Sequence, residues 1–135
     1  GLGDVYKRQS RQIAQLVAWI QQQDFYANTT VIVTGDHLSM SAEMEKELGG
    51  YSHRRVYNCF LNAAAAPVKT QERVFTAMDM FPTTLAALGI QIEGDRLGIG
   101  TNLFGTRQTL AEELGFETYE QEISRHSSFF DSLAY

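Results

Sequence analysis

The sequence predicts an α/β fold, and three observations carry that prediction. An apolar stripe of helical period runs from Ser10 to Ile20, a β-branched run follows at Val31–Thr34, and the alternation repeats with a second apolar run at Val56–Asn62 and a patterned helix after Asp79. Helix, strand, helix and strand in this order place helices on the faces of a sheet. With 135 residues, 44% of them hydrophobic, the chain has the material for one domain or part of one.

The first nine residues, "GLGDVYKRQ", show neither helical nor strand periodicity. They read as a non-native or junction segment ahead of a domain piece that occupies 10–135, and the natural protein would then continue upstream. From Ser10, an available N-cap, Ile13, Leu16, Val17 and Ile20 fall on one helical face, and Gln21–Asp24 end the helix. "ANTT" makes a turn, and "VIVT" is short and β-branched enough for a buried strand.

"SAEMEKELGG" at 41–50 suits a short charged helix stopped by glycine. A second strand is expected over Val56–Asn62, and "AAAAPVK" closes as a loop because Pro67 disfavours helical geometry before it. Asp79 is the expected cap of a helix that tolerates Pro82 in its first turn, places Leu85 and Leu88 on its apolar side and stops at Gly89. The glycine-punctuated "GIQIEGDRLGIGTNLFG" suits a surface excursion with one or two short strands. "TLAEELG" has the capping-box form, Thr109 with Glu112 and a stop at Gly115, and the tail reads as a last helix anchored by Ile123, Phe129 and Phe130.

Composition narrows the function. A net charge of −5 and the absence of any Lys/Arg run argue against nucleic acid as a partner. The longest apolar stretch, "AAAAPV", is far short of the roughly 20 residues that span a bilayer. Cys59 is alone, inside an apolar run, and reads as a small buried hydrophobe.

Chemistry concentrates at Gly35-Asp36-His37. Ligands in open α/β sheets gather beyond the carboxyl ends of strands, and a turn there brings a carboxylate and an imidazole to one side as an N/O donor pair suited to zinc or manganese. The competing reading makes Asp36 a turn former or helix cap. Ser39 or Ser41 could join His37 and Asp36 in a triad, but sequence neighbours rarely hold that geometry and no G-x-S-x-G is present. His53 could fold back to meet an anionic group, with Arg54 or Arg55 to pair with a phosphate, against the plainer reading of exposed side chains. His126 reads as surface.

"VIVTGDHLSM", "RVFTAMDMFPTTLAALGI" and "GDRLGIGTNLFG" occur in order, and over about residues 10 to 115 they resemble the C-terminal part of the sulfatase-like branch of the alkaline phosphatase superfamily. Within it the chain is most similar to bacterial phosphoglycerol transferases, the enzymes resembling lipoteichoic acid synthase. The resemblance implies the C-terminal portion of an αβα sandwich and a divalent cofactor, Mn²⁺ or Zn²⁺, with Mg²⁺ as a further possibility. It implies transfer of the phosphatidylglycerol head group to a glycan or teichoic acid through a covalent threonine intermediate.

Carried over by residue, Asp36 and His37 match the late Asp-His metal ligands, and His53, with Arg54 beside it, matches a histidine that contacts the substrate phosphate. No catalytic nucleophile falls in these residues. The threonine and the other ligands are expected upstream in the same catalytic domain, on the outer side of a bacterial cell membrane. A sulfatase-like ester hydrolase and, in another class, a stand-alone α/β binding module with a structural Asp-His turn are the alternatives.

Overall fold

A computed structural model of the chain describes residues 2–38, 46, 55–69 and 72–133. It is an α/β chain, as the alternating pattern requires, and it divides into two compact units, Gly1–Ala63 and Ala64–Tyr135. The helix expected over 41–50 lies outside the described residues apart from Lys46.

The first unit opens with α1, Leu2–Gln21. Ser10 therefore lies in mid-helix and caps nothing. The reason is visible once the register is extended backwards: Tyr6 stands seven residues, about two turns, before Ile13, on the face that Leu16 and Ile20 continue at spacings of three and four. A 3₁₀ turn, Asp24–Asn28, follows, and the Trp19 and Phe25 rings meet edge to face at 6.2 Å.

The strands β1, Val31–Thr34, and β2, Asn58–Leu61, pair antiparallel with Val31 opposite Leu61 and Thr34 opposite Asn58. At the entry end of β1 the Asn62 amide donates to the Tyr26 and Thr29 carbonyls (2.7 and 3.0 Å), and the Asn62 carbonyl accepts from the Thr30 hydroxyl. Asn62 adopts a left-handed φ of 54°, which asparagine tolerates better than most residues. One side chain thus sets the register of a ladder only four residues long. None of the described residues in this unit is fully buried.

Residues 63–69, which lead into the second unit, form an irregular loop as expected, and in that unit helix α2 spans Met80–Ala87. Its cap differs from expectation. Thr76 starts a 3₁₀ turn, Ala77–Asp79, and Asp79 closes a capping box by accepting the Thr76 N–H at 2.8 Å. The buried face of α2 is Pro82, Thr83, Ala86 and Ala87, whereas Leu88 is exposed. Gly89 ends it with φ +86°, donating to the Ala86 carbonyl.

The glycine-rich stretch forms the two short strands expected of it, the hairpin β3, Arg96–Leu97, and β4, Gly100–Thr101; its first part, 89–99, is mostly exposed, but its end is not a surface excursion. Gly100, Thr101, Asn102 and Phe104 are buried, because glycine lets this backbone press onto the turn that leads into α2 and onto Pro82: a Cβ on Gly100 would stand 2.1 Å from the Met78 carbonyl oxygen and 3.1 Å from Pro82 Cγ. Thr101 donates its N–H to Asp79 (2.7 Å), and the Leu103 N–H donates to the buried Thr83 hydroxyl (3.0 Å).

Helix α3, Leu110–Leu114, has the expected capping box of Thr109 and Glu112. The tail forms two helices, α4 at Phe116–Ile123 and α5 at Ser128–Ser132. Its buried anchor is Tyr119, with a hydroxyl 3.1 Å from that of Thr76; Ile123 and Phe129, expected as anchors, are exposed, and the Phe130 side chain lies outside the described residues. The signal for Tyr119 was in the sequence, since Phe116, Tyr119 and Ile123 fall at i, i+3, i+7 of one helical face.

Candidate metal centre

The site starts where the β1 ladder stops. Gly35 donates its N–H to the Tyr57 carbonyl at 2.9 Å, one rung past the strand, and the chain then bends at Asp36 and His37. Gly35 eases a close approach and has no left-handed φ: a Cβ would lie 3.1 Å from Val56 Cβ, so the valine would have to give by a few tenths of an ångström. The last tie of the strand is side chain to side chain, with Thr34 Oγ1 donating to Asn58 Oδ1 at 2.6 Å.

In the bend, each of the two side chains has one polar atom occupied and one presented. Asp36 Oδ1 accepts the His37 N–H at 2.8 Å, which turns Oδ2 outward. His37 Nδ1 lies 2.7 Å from the Leu38 carbonyl oxygen, an atom that can only accept, so Nδ1 carries a hydrogen and Nε2 is the nitrogen left for a ligand. Asp36 Oδ2 and His37 Nε2 then face each other at 3.3 Å.

Their spacing is informative. A direct charge-assisted hydrogen bond runs at about 2.7–2.9 Å, and His126 with Asp131 shows it at 2.7 Å. Two donors about 2.0–2.1 Å from a tetrahedral zinc stand roughly 3.3–3.4 Å apart. The Asp36–His37 pair has the wider spacing, that of a loose ion pair when the ring carries a second hydrogen and of two donors around one cation when it does not. The donor chemistry and the spacing both fit a divalent ion.

Side-chain exposures of 86% for Asp36 and 58% for His37 leave the pair open to ligands. Among the described residues no group of three His, Cys, Asp or Glu side chains converges, so the pair contributes two ligands toward a shell that usually takes three or four from protein. His53, Arg54, Ser39 and Ser41 lie outside the described residues; Arg55 is exposed. His126 is at the surface, as expected.

Cys59 is half-buried, and its thiol pairs with the hydroxyl of Tyr57, two residues away on the same strand face. That hydrogen bond holds the Tyr57 phenol above its ordinary 10.0.

Residue types and spacing singled out Asp36 and His37 as candidates, and the structure places their side chains side by side. Type and spacing missed Thr34 and Asn58, because a pair 24 residues apart is brought together by register alone.

The class defined by these features is an α/β chain with an oxygen and a nitrogen donor converging beyond a strand end. A family model described as Sulfatase matches residues 8–90, more than half of the chain and a span that includes β1, the Asp36–His37 bend, β2 and α2. The chain belongs to the sulfatase family, within the alkaline phosphatase superfamily, whose members work with a divalent metal. No curated protein and no solved structure matches it. Among the described residues no helix is long and apolar enough to cross a membrane.

Proposed function

We propose that Asp36 and His37 are ligands of a divalent ion, Mn²⁺ or Zn²⁺ with Mg²⁺ as a third candidate, in an enzyme that transfers a phosphoglycerol head group. The observation that carries this reading is the division of labour in the bend: Oδ1 and Nδ1 are tied to the backbone, while Oδ2 and Nε2 stand 3.3 Å apart. A bound divalent ion supplies positive charge against phosphoryl oxygens and lowers the pKa of a coordinated hydroxyl.

The chain's own residues hold and orient. Asp36 contributes charge, His37 contributes a nitrogen whose tautomer is set by Leu38, and the antiparallel ladder fixes where both leave the sheet. The remaining ligands and the threonine nucleophile are proposed to come from an upstream part of the same catalytic domain, outside the membrane, with a phosphatidylglycerol-type lipid as donor. His53 and Arg54 are proposed to meet the substrate phosphate, on the strength of the three ordered motifs.

A second reading, a sulfatase-like ester hydrolase, is favoured by the family match, which is at the level of sulfatases. Both readings need the same ion. Calorimetric titration of Mn²⁺ and Zn²⁺ into the protein, with Asp36→Ala and His37→Ala beside it, tests that need. Binding that each substitution weakens by about tenfold or more supports the assignment, and binding indifferent to both refutes it.

A further inference from the structure

We propose that Thr34 and Asn58 are positioning residues for the Asp36–His37 pair, an inference that rests on the metal reading above. In antiparallel strands, residue pairs alternate between those that exchange main-chain hydrogen bonds and those that do not, and the second kind brings side chains closer. The Gly35–Tyr57 rung is of the first kind, so the preceding Thr34–Asn58 pair is of the second, and its side chains meet at 2.6 Å.

The Asn58 carboxamide works in two directions. Its Oδ1 accepts the Thr34 hydroxyl, and its Nδ2 donates to the Val56 carbonyl at 3.3 Å. Val56 is also the residue that a Cβ on Gly35 would meet. One side chain therefore holds both segments that arrive at the bend: the end of β1, which leads into Asp36, and residues 55–57, which lead into β2.

Downstream of Thr34 and Gly35, the hydrogen bonds of the bend among the described residues are internal, from the His37 N–H to Asp36 and from the ring to Leu38. Such local bonds shape the bend but do not by themselves hold it: a segment tied only to itself loosens, and the ring leaves Leu38, once the anchor to the sheet is lost. That anchor is the Thr34–Asn58 bond together with the Gly35 rung. A change at Thr34 should accordingly act on His37 without touching it.

The test uses the full chain as wild type, Thr34→Val and Thr34→Ser. Valine keeps the β-branch and the strand preference while removing the hydroxyl; serine keeps the hydroxyl. Three readouts are taken: the His37 ring tautomer by ¹⁵N NMR, Zn²⁺ affinity by titration, and the thermal midpoint. The expected result is an unchanged midpoint in T34V, loss of the dominant Nδ1–H tautomer and Zn²⁺ binding weakened about tenfold, with T34S like wild type.

The proposal is overturned if T34V matches wild type in both tautomer and affinity, if T34S fails to restore them, or if the losses merely follow a lower midpoint in both variants. If wild type binds no Zn²⁺ while the tautomer shifts in T34V and returns in T34S, the positioning role stands and the metal reading falls.

Discussion

Asp79 accepts the main-chain N–H of Thr101 at 2.7 Å while its other carboxylate oxygen accepts that of Thr76 at 2.8 Å. One buried side chain, 2% exposed, thereby joins the start of α2 to β4. No buried side-chain nitrogen or oxygen among the described residues lacks a partner, so this carboxylate sits in a satisfied network and has a structural role. Asp79→Ala leaves two N–H groups without their acceptor and should destabilise the protein by about 2–4 kcal/mol. Urea unfolding measures it; a loss below about 1 kcal/mol would mean the clamp is dispensable.

Gly100 and Gly98 lie in the same hairpin and should respond differently to alanine. At Gly100 the added Cβ meets the Met78 carbonyl oxygen, which is backbone and cannot rotate away; the expected cost is about 3 kcal/mol or more. At Gly98 nothing lies within 4 Å, and only its φ of +59° opposes alanine, at about 1–2 kcal/mol. Equal midpoints for the two variants in thermal melts would contradict the packing of β4 on α2.

Acid should weaken the second unit through Glu112. Burial pushes this carboxyl up, but the Thr109 N–H, the Arg73 guanidinium at 2.8 Å and the Val74 N–H together outweigh it and hold it below the ordinary 4.5. A carboxyl lowered on folding adds stability that is present above its unfolded value and lost as pH falls through the folded one. The stability difference between wild type and Glu112→Gln should thus be constant near neutrality and shrink below about pH 4.5. A difference independent of pH from 7 to 3 would remove Glu112 from that role. Glu113, lowered by its bond to Arg96, is exposed and should contribute less.

Local signals in the sequence were good guides where one segment decides the outcome. The strand at 31–34, the Thr109–Glu112 capping box and the Gly89 stop are each fixed by residues within a few positions of one another. Thr76 was overlooked as a cap because Asp79, its partner in the box, is itself a strong cap type. The burial of the glycine-rich loop was illegible because glycines mark flexibility and close packing alike; Met78, 22 residues before Gly100, decides between them. At the site, Asp36 and His37 stood out by type, but the atoms they present depend on Leu38, and their direction depends on a register that pairs Thr34 with Asn58.

The same geometry separates the two Asp–His pairs among the described residues. His126 and Asp131, 2.7 Å apart, are spaced as a direct hydrogen bond, with no room for an ion between them. His126→Gln should leave Mn²⁺ and Zn²⁺ affinity unchanged in calorimetric titration. A loss comparable to that of His37→Ala would relocate the centre to the tail.

Paramagnetic broadening by substoichiometric Mn²⁺ in a histidine-resolved NMR spectrum tests the central claim most directly. The account predicts that the His37 ring signals broaden first, that His126 stays sharp, and that Asp36→Ala abolishes the effect. Broadening that spares His37, or that persists undiminished in Asp36→Ala, would contradict a shared ion between these two side chains.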